Sequence, residues 1–205
     1  TENGLLDPQN DYRRNPLSIG MNLLADCQGG TFLGAVSTSA PGVHGFLAEK
    51  EGVLILYILN KSPDAHSLSI KLESRSQRNG IARQMQDSVD AYGQLVSVPV
   101  AKENGQFRID LPSLSMTEIL FTPEGWKPEV MNIDLTDTSA RICWSSIPGL
   151  PFSTFKSTDL VSWIAIAENT YPDNFWTETA IQSEATLSIF CRAIIDAGTG
   201  QISDN

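Results

Sequence analysis

The chain has 205 residues and a mass of 22.4 kDa, enough for one large domain or two small ones. It carries 24 acidic against 14 basic side chains, a net charge of −10, which argues against nucleic acid as a partner because such binding needs clustered positive charge. Hydrophobic residues make up 41%, as in globular proteins, and the longest apolar run, Val53–Leu59, is much shorter than the roughly 20 residues of a membrane-spanning helix.

One helix is predicted near the N-terminus, within Asn15–Cys27. Pro16 suits the first turn of a helix, and Gly29-Gly30 suits its end. Apolar residues follow at helical spacing at Leu17, Met21, Leu24 and Ala25. We therefore expect a helix of about ten residues.

The rest of the chain has the pattern of short strands separated by turn signals. The expected strands of the first part are Phe32–Val36, Val43–Ala48, Val53–Asn60, Ser67–Leu72, Ala82–Val89, Leu95–Val100, Gln106–Leu111 and Met116–Phe121. Those of the second part are Val130–Leu135, Ser139–Trp144, Phe152–Ser157, Trp163–Ala167, Trp176–Thr179, Ala185–Leu187 and Ile189–Ile195.

The two groups of strands are separated by a linker-like segment at 123–128, rich in Pro and Gly. We predict two domains, 1–125 and 126–205. The predicted fold is all-β: two tandem antiparallel β-sandwiches with one short N-terminal helix. Because the sequence begins at Thr1 without Met or a leader-like segment, we expect it to be a piece of a longer protein.

Motifs for catalysis or metal binding are missing from the sequence. It contains no GxSxG, P-loop or GxGxxG, and its acids are scattered singly rather than as the pair a glycosidase needs. The only histidines are His44 and His66, and no CxxC occurs, so a zinc site is unsupported. A structural calcium ion would suit an acidic sandwich, but no DxDxDG loop is present. We predict no catalytic residue, no metal ligand and no cofactor.

The three cysteines, Cys27, Cys143 and Cys191, are far apart in the sequence. Cys143 and Cys191 would pair in an oxidising compartment. The alternative is that all three are small buried hydrophobic residues.

Residues 12–122 resemble the end of a clan of barrel glycoside hydrolases, in which the final barrel helix leads into a β-sandwich. The matching segments are Tyr12–Pro16 with the helix after it, Val53–Ser62, Ser67–Leu72 and Ile109–Thr122. They are similar to the C-terminal sandwich of arabinofuranosidase-like and of agarase- or porphyranase-like enzymes. The resemblance covers about half of the chain.

Residues 130–195 resemble a fibronectin type III-like or immunoglobulin-like module, of the kind that ends many secreted enzymes of polysaccharide-degrading bacteria. The matching segments are Ala140–Trp144, Phe155–Trp163 and Ile189–Ala193. After Ile195 only a polar tail remains, so we expect the last edge strand to be short or missing.

Together these resemblances imply an accessory region of a secreted enzyme of a marine bacterium, with a catalytic barrel domain in the same full-length chain. They imply a polysaccharide ligand, a red-algal galactan such as porphyran or agar. They do not decide which sugar is bound, which sandwich binds it or what the oligomeric state is.

A loop at residues 169–176 is the first candidate for carbohydrate binding. Sugar rings present apolar C–H faces that stack on aromatic side chains, while a few polar groups fix the hydroxyls. Tyr171, Asn174 and Trp176 supply both kinds of group and are the predicted contacts. The alternative is that Phe175 or Trp176 packs inward at the start of a strand. Trp144 and Trp163 are predicted to belong to the core.

A loop at residues 74–83 is the second candidate, because it holds the only local cluster of basic side chains: Arg75, Arg78 and Arg83. Arginine forks bind sulfate and carboxylate groups through several donors, so this loop would hold a sulfated galactan. The alternative is a solvated loop whose arginines pair with nearby acids such as Glu73 and Asp87.

The sequence leaves three hypotheses. The first is a non-catalytic carbohydrate-binding module that targets a catalytic domain to its polysaccharide. The second is a structural spacer or buttress of a glycoside hydrolase, without affinity for sugar. The third, an intact small enzyme, would need a carboxylate pair that the sequence does not show.

Overall fold

The computed structural model describes residues 6–7, 13–14, 16–72, 77–85, 95–123, 125–136, 139–172, 174–182 and 190–195. The chain divides into two compact units, residues 1–124 and 125–205. In the described part all regular structure is antiparallel β-sheet except for one α-helix, so the predicted all-β class is confirmed. No helix among these residues is long and apolar enough to cross a membrane.

The first unit contains the helix and ten strands within the described residues. They are β1 (Leu6–Asp7), β2 (Arg13–Arg14), α1 (Pro16–Ala25), β3 (Thr31–Val36), β4 (Val43–Lys50), β5 (Val53–Asn60), β6 (His66–Ile70), β7 (Gln77–Met85), β8 (Leu95–Glu103), β9 (Gln106–Leu111) and β10 (Ser115–Pro123).

The helix α1 has the predicted length and ends where the sequence indicates. Gly29, with φ of +80°, adopts the left-handed conformation that glycine tolerates in the turn after the helix. Leu23 is buried, and the hydroxyl of Tyr57 in β5 donates a hydrogen bond of 2.7 Å to the Leu23 carbonyl. The Leu23 carbonyl also accepts from the amide of Asp26 at 3.2 Å, and its bond to Tyr57 joins the end of the helix to the sheet.

Eight strands form one sheet in the order β3-β4-β5-β10-β7-β8-β9-β6. The apolar strand β5 is central and buried over most of its length, as its sequence predicts. Strand β10 lies between β5 and β7 although it is the last described strand of the first unit in chain order, with Thr117 opposite Ile58 and Gln84. Residues distant in sequence therefore become neighbours across β10.

The sheet folds over on itself at β8. Leu95–Val100 of this strand pairs with β7, while Ala101–Glu103 pairs with β9. The core lies between the two layers, where the rings of Phe107 and Phe121 are 4.8 Å apart. A folded sheet with one core between its layers is a β-sandwich.

Two hairpin turns use the same backbone geometry. Asn104 and Gly105 have φ of 50° and 77°, the type I′ pattern that an Asn-Gly pair favours. Glu51 and Gly52 have φ of 52° and 79°, so Glu51 occupies a left-handed position that glutamate does not favour.

Strand β7 begins earlier than predicted. The sequence analysis places residues 74–83 in a loop and begins the strand at Ala82, but Gln77–Met85 is a strand. A Cβ atom at Gly80 would lie 3.1 Å from the side chain of Val100, so glycine allows β8 to approach closely. The C-terminal part of the predicted strand, residues 86–89, lies outside the described residues.

The second unit contains six strands within the described residues, in two three-stranded sheets ordered β11-β12-β15 and β14-β13-β16. They are β11 (Val130–Leu135), β12 (Ser139–Ser145), β13 (Phe152–Ser157), β14 (Ile164–Thr170), β15 (Trp176–Gln182) and β16 (Phe190–Ile195). A core cluster joins Ile142 and Trp144 of one sheet to Phe152 of the other, so the sheets pack face to face. The predicted strand Ala185–Leu187 and the polar tail after Ile195 lie outside the described residues.

Candidate functional site

Exposed aromatic side chains occur in the loop at residues 169–176, which leads from the end of β14 to Trp176, the first residue of β15. Tyr171 is 66% exposed and Trp176 is 51% exposed, whereas Phe175 between them is only 5% exposed. Asn174 is also exposed. Phe175 is therefore the side chain that packs inward, and Trp176 remains available to a ligand.

The loop is held in place by the segment Ser146–Leu150. The amide of Gly149 donates to the carbonyl of Pro172 at 2.9 Å, and the amide of Ser146 donates to the carbonyl of Phe175 at 2.9 Å. The Ser146 hydroxyl donates to the Asn174 carbonyl at 2.8 Å. These bonds fix the backbone, so Tyr171 and Trp176 project from a rigid support.

Of the three predicted arginines, Arg83 is the one whose side chain the structure describes. Arg75 lies outside the described residues, and Arg78 lies in β7. Arg83 also lies in β7, where its Nε donates to Glu118 at 2.8 Å and its Nη2 forms ion pairs with both Glu118 and Asp26. Its side chain is only 12% exposed, so it holds two carboxylates of its own chain and not a sulfate. Glu73 and Asp87, the partners considered in the alternative, lie outside the described residues.

The cluster of Asp26, Arg83 and Glu118 lies where the end of α1 meets the sheet. Glu118 is fully buried, and only one of its two oxygens has a hydrogen-bond partner. Burial, together with the charge of Asp26, raises the pKa of Glu118 to about 7 against the opposing effect of Arg83. Burial also raises the pKa of Asp26. One arginine cannot neutralise two buried carboxylates, so one of them is held close to its neutral form.

These two carboxylates are not a hydrolytic pair. A glycosidase places its carboxyl groups on either side of a sugar ring. Glu118 has no accessible surface, so no ring can reach it. The burial of Tyr57 beside this cluster raises the pKa of its phenol, which remains a hydrogen-bond donor to the helix.

The first unit has a cleft of about 430 Å³ near the edge strands β3 and β6. Its floor includes Leu56 and Ile58, and its rim carries hydroxyls such as Ser67 and Ser69. Among the described residues that line it there is no Phe, Tyr or Trp. Apart from the imidazole of His44, the described lining therefore offers no flat ring for a sugar to stack on.

The tryptophans of the second unit have different environments. Trp144 is 3% exposed and belongs to the core, as predicted. Trp163, also predicted for the core, is only partly buried, and the guanidinium of Arg192 lies 4.2 Å from its ring centre. The sequence analysis missed Arg192 because it is a lone cation in a strand, with no neighbouring basic residue.

The cysteines of the chain are all free. Cys191 packs against the core of the second unit, whereas Cys143 lies opposite Glu178 on the neighbouring strand β15. Burial raises the pKa of both thiols. Among the described residues no group of three or more His, Cys, Asp or Glu side chains is arranged to hold a metal ion.

Comparison with known proteins finds no matching family model and no matching curated protein. Among solved structures, a family 30 endoxylanase from Clostridium papyrosolvens is 18% identical, with a TM-score of 0.40 over 46% of this chain and 24% of that one. A family 30 subfamily 8 xylanase from Clostridium acetobutylicum is 12% identical, with a TM-score of 0.44 over 60% and 31%.

A β-porphyranase of glycoside hydrolase family 86 from the human gut bacterium Bacteroides plebeius is 9% identical, with a TM-score of 0.36 over 72% of this chain and 32% of that one. The chain thus spans between a quarter and a third of the length of these enzymes. At TM-scores below 0.5 the likeness carries no argument about function.

Proposed function

We propose that this chain is a non-catalytic carbohydrate-binding region of a secreted polysaccharide-degrading enzyme, which targets the catalytic domain of the full-length protein to its substrate. The observation that carries the proposal is the exposure of Tyr171 and Trp176 on a loop fixed by three hydrogen bonds. A fixed loop loses little conformational entropy when a ligand binds.

The physical chemistry of the loop fits a sugar chain. Two aromatic rings offer apolar faces for pyranose C–H groups, and the exposed amide of Asn174 offers both a donor and an acceptor for hydroxyls. The sequence resemblance to agarase- and porphyranase-like enzymes supports a galactan such as agar or porphyran as the polysaccharide. Binding would raise the local concentration of substrate near the catalytic domain.

The contribution of Trp176 can be estimated from its exposure. An aromatic side chain buries about 200 Å² when fully covered, and half of that area at 25 cal/mol per Å² gives about 2.5 kcal/mol. This corresponds to a decrease of about 70-fold in affinity when the ring is removed. The figure is an upper value, since a sugar covers one face.

Native affinity electrophoresis tests the proposal, with agarose, porphyran, carrageenan, alginate, xylan and hydroxyethylcellulose in separate gels. We expect a galactan to retard the protein, and Trp176→Ala and Tyr171→Ala to remove most of the retardation. Phe32→Ala is the matched control, because Phe32 is an aromatic residue of the first unit that is 67% exposed.

Two results would refute the proposal. If no polymer retards the wild-type protein, a structural spacer is the better explanation. Equal losses for Phe32→Ala and Trp176→Ala would show that the loop is not the site.

A further inference from the structure

The outer face of the sheet β14-β13-β16 carries a row of side chains that the proposed sugar loop does not use. Phe155 in β13 lies opposite Ala165 in β14 on one side and opposite Arg192 in β16 on the other. Phe155 is half-buried, whereas Ala165 and Arg192 are exposed. The small side chain of Ala165 leaves space above the sheet beside the ring of Phe155.

Arg192 lies across this row. The carbon of its guanidinium is 5.4 Å from the ring centre of Phe155 and 4.2 Å from that of Trp163, which precedes β14. Both distances are within the range of a cation–π contact. Two such contacts restrict the rotamers of the side chain, and a guanidinium carries five N–H donors in a planar fork.

Arg192 has no carboxylate partner among the residues that the structure describes. Three other arginines have described side chains, and each of them pairs with a carboxylate: Arg83, Arg108 and Arg141. No described carboxylate forms an ion pair with Arg192. The second unit has ten acidic side chains against four basic ones, Lys127, Arg141, Lys156 and Arg192. An exposed arginine without a partner is therefore unexpected here.

Asp159, the acidic residue nearest to Trp163 in the sequence, is held within its own turn through one of its two carboxylate oxygens, Oδ1. Its carboxylate accepts from the amides of Val161 at 2.8 Å and Ser162 at 2.7 Å and from the hydroxyl of Ser157 at 2.9 Å. These backbone bonds lower the pKa of Asp159 well below its usual value. The carboxylate is thus held by the turn that precedes Trp163.

We propose that Arg192, Trp163 and Phe155 form a subsite for an oxyanion carried by the polysaccharide, either a sulfate ester or a carboxylate. The guanidinium edge offers several donors to such a group, and the two rings exclude water around it. The proposal depends on the proposed function for the kind of ligand, a polysaccharide. The subsite consists of residues other than Tyr171 and Trp176, and it would distinguish charged from neutral sugars.

Affinity electrophoresis with three polymers tests the subsite. Carrageenan supplies sulfate, alginate supplies carboxylate, and agarose is the nearly neutral reference. Because the chain has a net charge of −10, general electrostatics oppose retention by either anionic polymer. We expect wild type to be retained by one anionic polymer at least, which identifies the group, and Arg192→Gln to weaken that binding by about tenfold to a hundredfold.

Three further variants make the result specific. Arg192→Lys keeps the charge but lacks the planar fork, so we expect an intermediate loss. Trp163→Leu removes the ring that orients the guanidinium, and should weaken retention by the same anionic polymer. Arg141→Gln is the matched control, an exposed arginine on the other sheet, and should bind as wild type. Circular dichroism of each variant confirms that it is folded.

The subsite and the sugar loop fail in different ways. The subsite is refuted when Arg192→Gln binds both anionic polymers as wild type does, or when neither polymer retains wild type. In either case, the proposed function would still be supported if agarose retains wild type but not Trp176→Ala. Anionic retention lost in Arg192→Gln but unchanged in Trp176→Ala would instead support the subsite and refute the sugar loop.

Discussion

Glu118 makes the stability of the first unit dependent on pH. Its pKa is about 7 in the folded unit, against an ordinary value of 4.5. Between these values the folded unit binds more protons than the unfolded chain, so the free energy of unfolding decreases as the pH rises. The difference corresponds to roughly 3 kcal/mol, lost between about pH 4.5 and pH 7. Asp26, whose pKa is also raised, acts in the same direction.

Glu118→Gln removes the ionisable group and keeps an oxygen that can accept from Arg83. We expect this variant to be at least as stable as wild type at pH 8 and to lose much less stability between pH 5 and pH 8. Glu103→Gln is the matched control, because Glu103 is an exposed carboxylate paired with the exposed Arg108. Such a pair contributes little, so this variant should follow the wild-type pH profile.

Urea unfolding at pH 5, 6, 7 and 8, followed by far-ultraviolet circular dichroism, measures the effect. All four tryptophans lie between residues 126 and 176, so their fluorescence reports the second unit and serves as an internal reference. The reasoning is refuted when Glu118→Gln keeps the wild-type decrease, or when Glu103→Gln removes it.

Two further stability changes follow from the first unit. Arg83→Met removes the cation that pairs with two buried carboxylates and should lower the free energy of unfolding by about 3–5 kcal/mol. Replacing Asp26 and Glu118 by Leu in the same protein should restore most of that loss. Urea unfolding measures both effects, and a triple variant as unstable as the single one contradicts the reasoning. Glu51→Asn places a residue that tolerates positive φ before Gly52, so the free energy of unfolding should increase by about 0.5–1 kcal/mol and the thermal midpoint should rise. An unchanged or lower midpoint would contradict this prediction.

Local patterns in the sequence predicted the local structure. The run of seven apolar residues Val53–Leu59 predicted a buried central strand, and β5 is one. Pro16 and Gly29 predicted the limits of the helix, and Asn104-Gly105 predicted a hairpin turn. Each of these features depends on residues only a few positions apart.

The partners of Arg83 could not be predicted in this way. They lie 57 residues before it and 35 after it, and they meet only because β10 inserts between β5 and β7. An Asn-Gly pair is typical of turns, but in Asn79-Gly80 the glycine allows close packing against Val100 inside the sheet. In both cases the sheet order, which no local pattern encodes, overrides the local signal.

The two units use their charged and aromatic side chains differently, and this bears on where a ligand binds. In the first unit, the arginine predicted to hold a sulfate is bound to two carboxylates beneath the helix. In the second unit, Trp176 is exposed on a fixed loop and Arg192 remains unpaired within the described residues. A charged group that is already hydrogen-bonded within the fold stabilises the fold, but it would have to break those bonds in order to bind a ligand. Under the proposed function, the second unit therefore holds the groups that are available to a ligand.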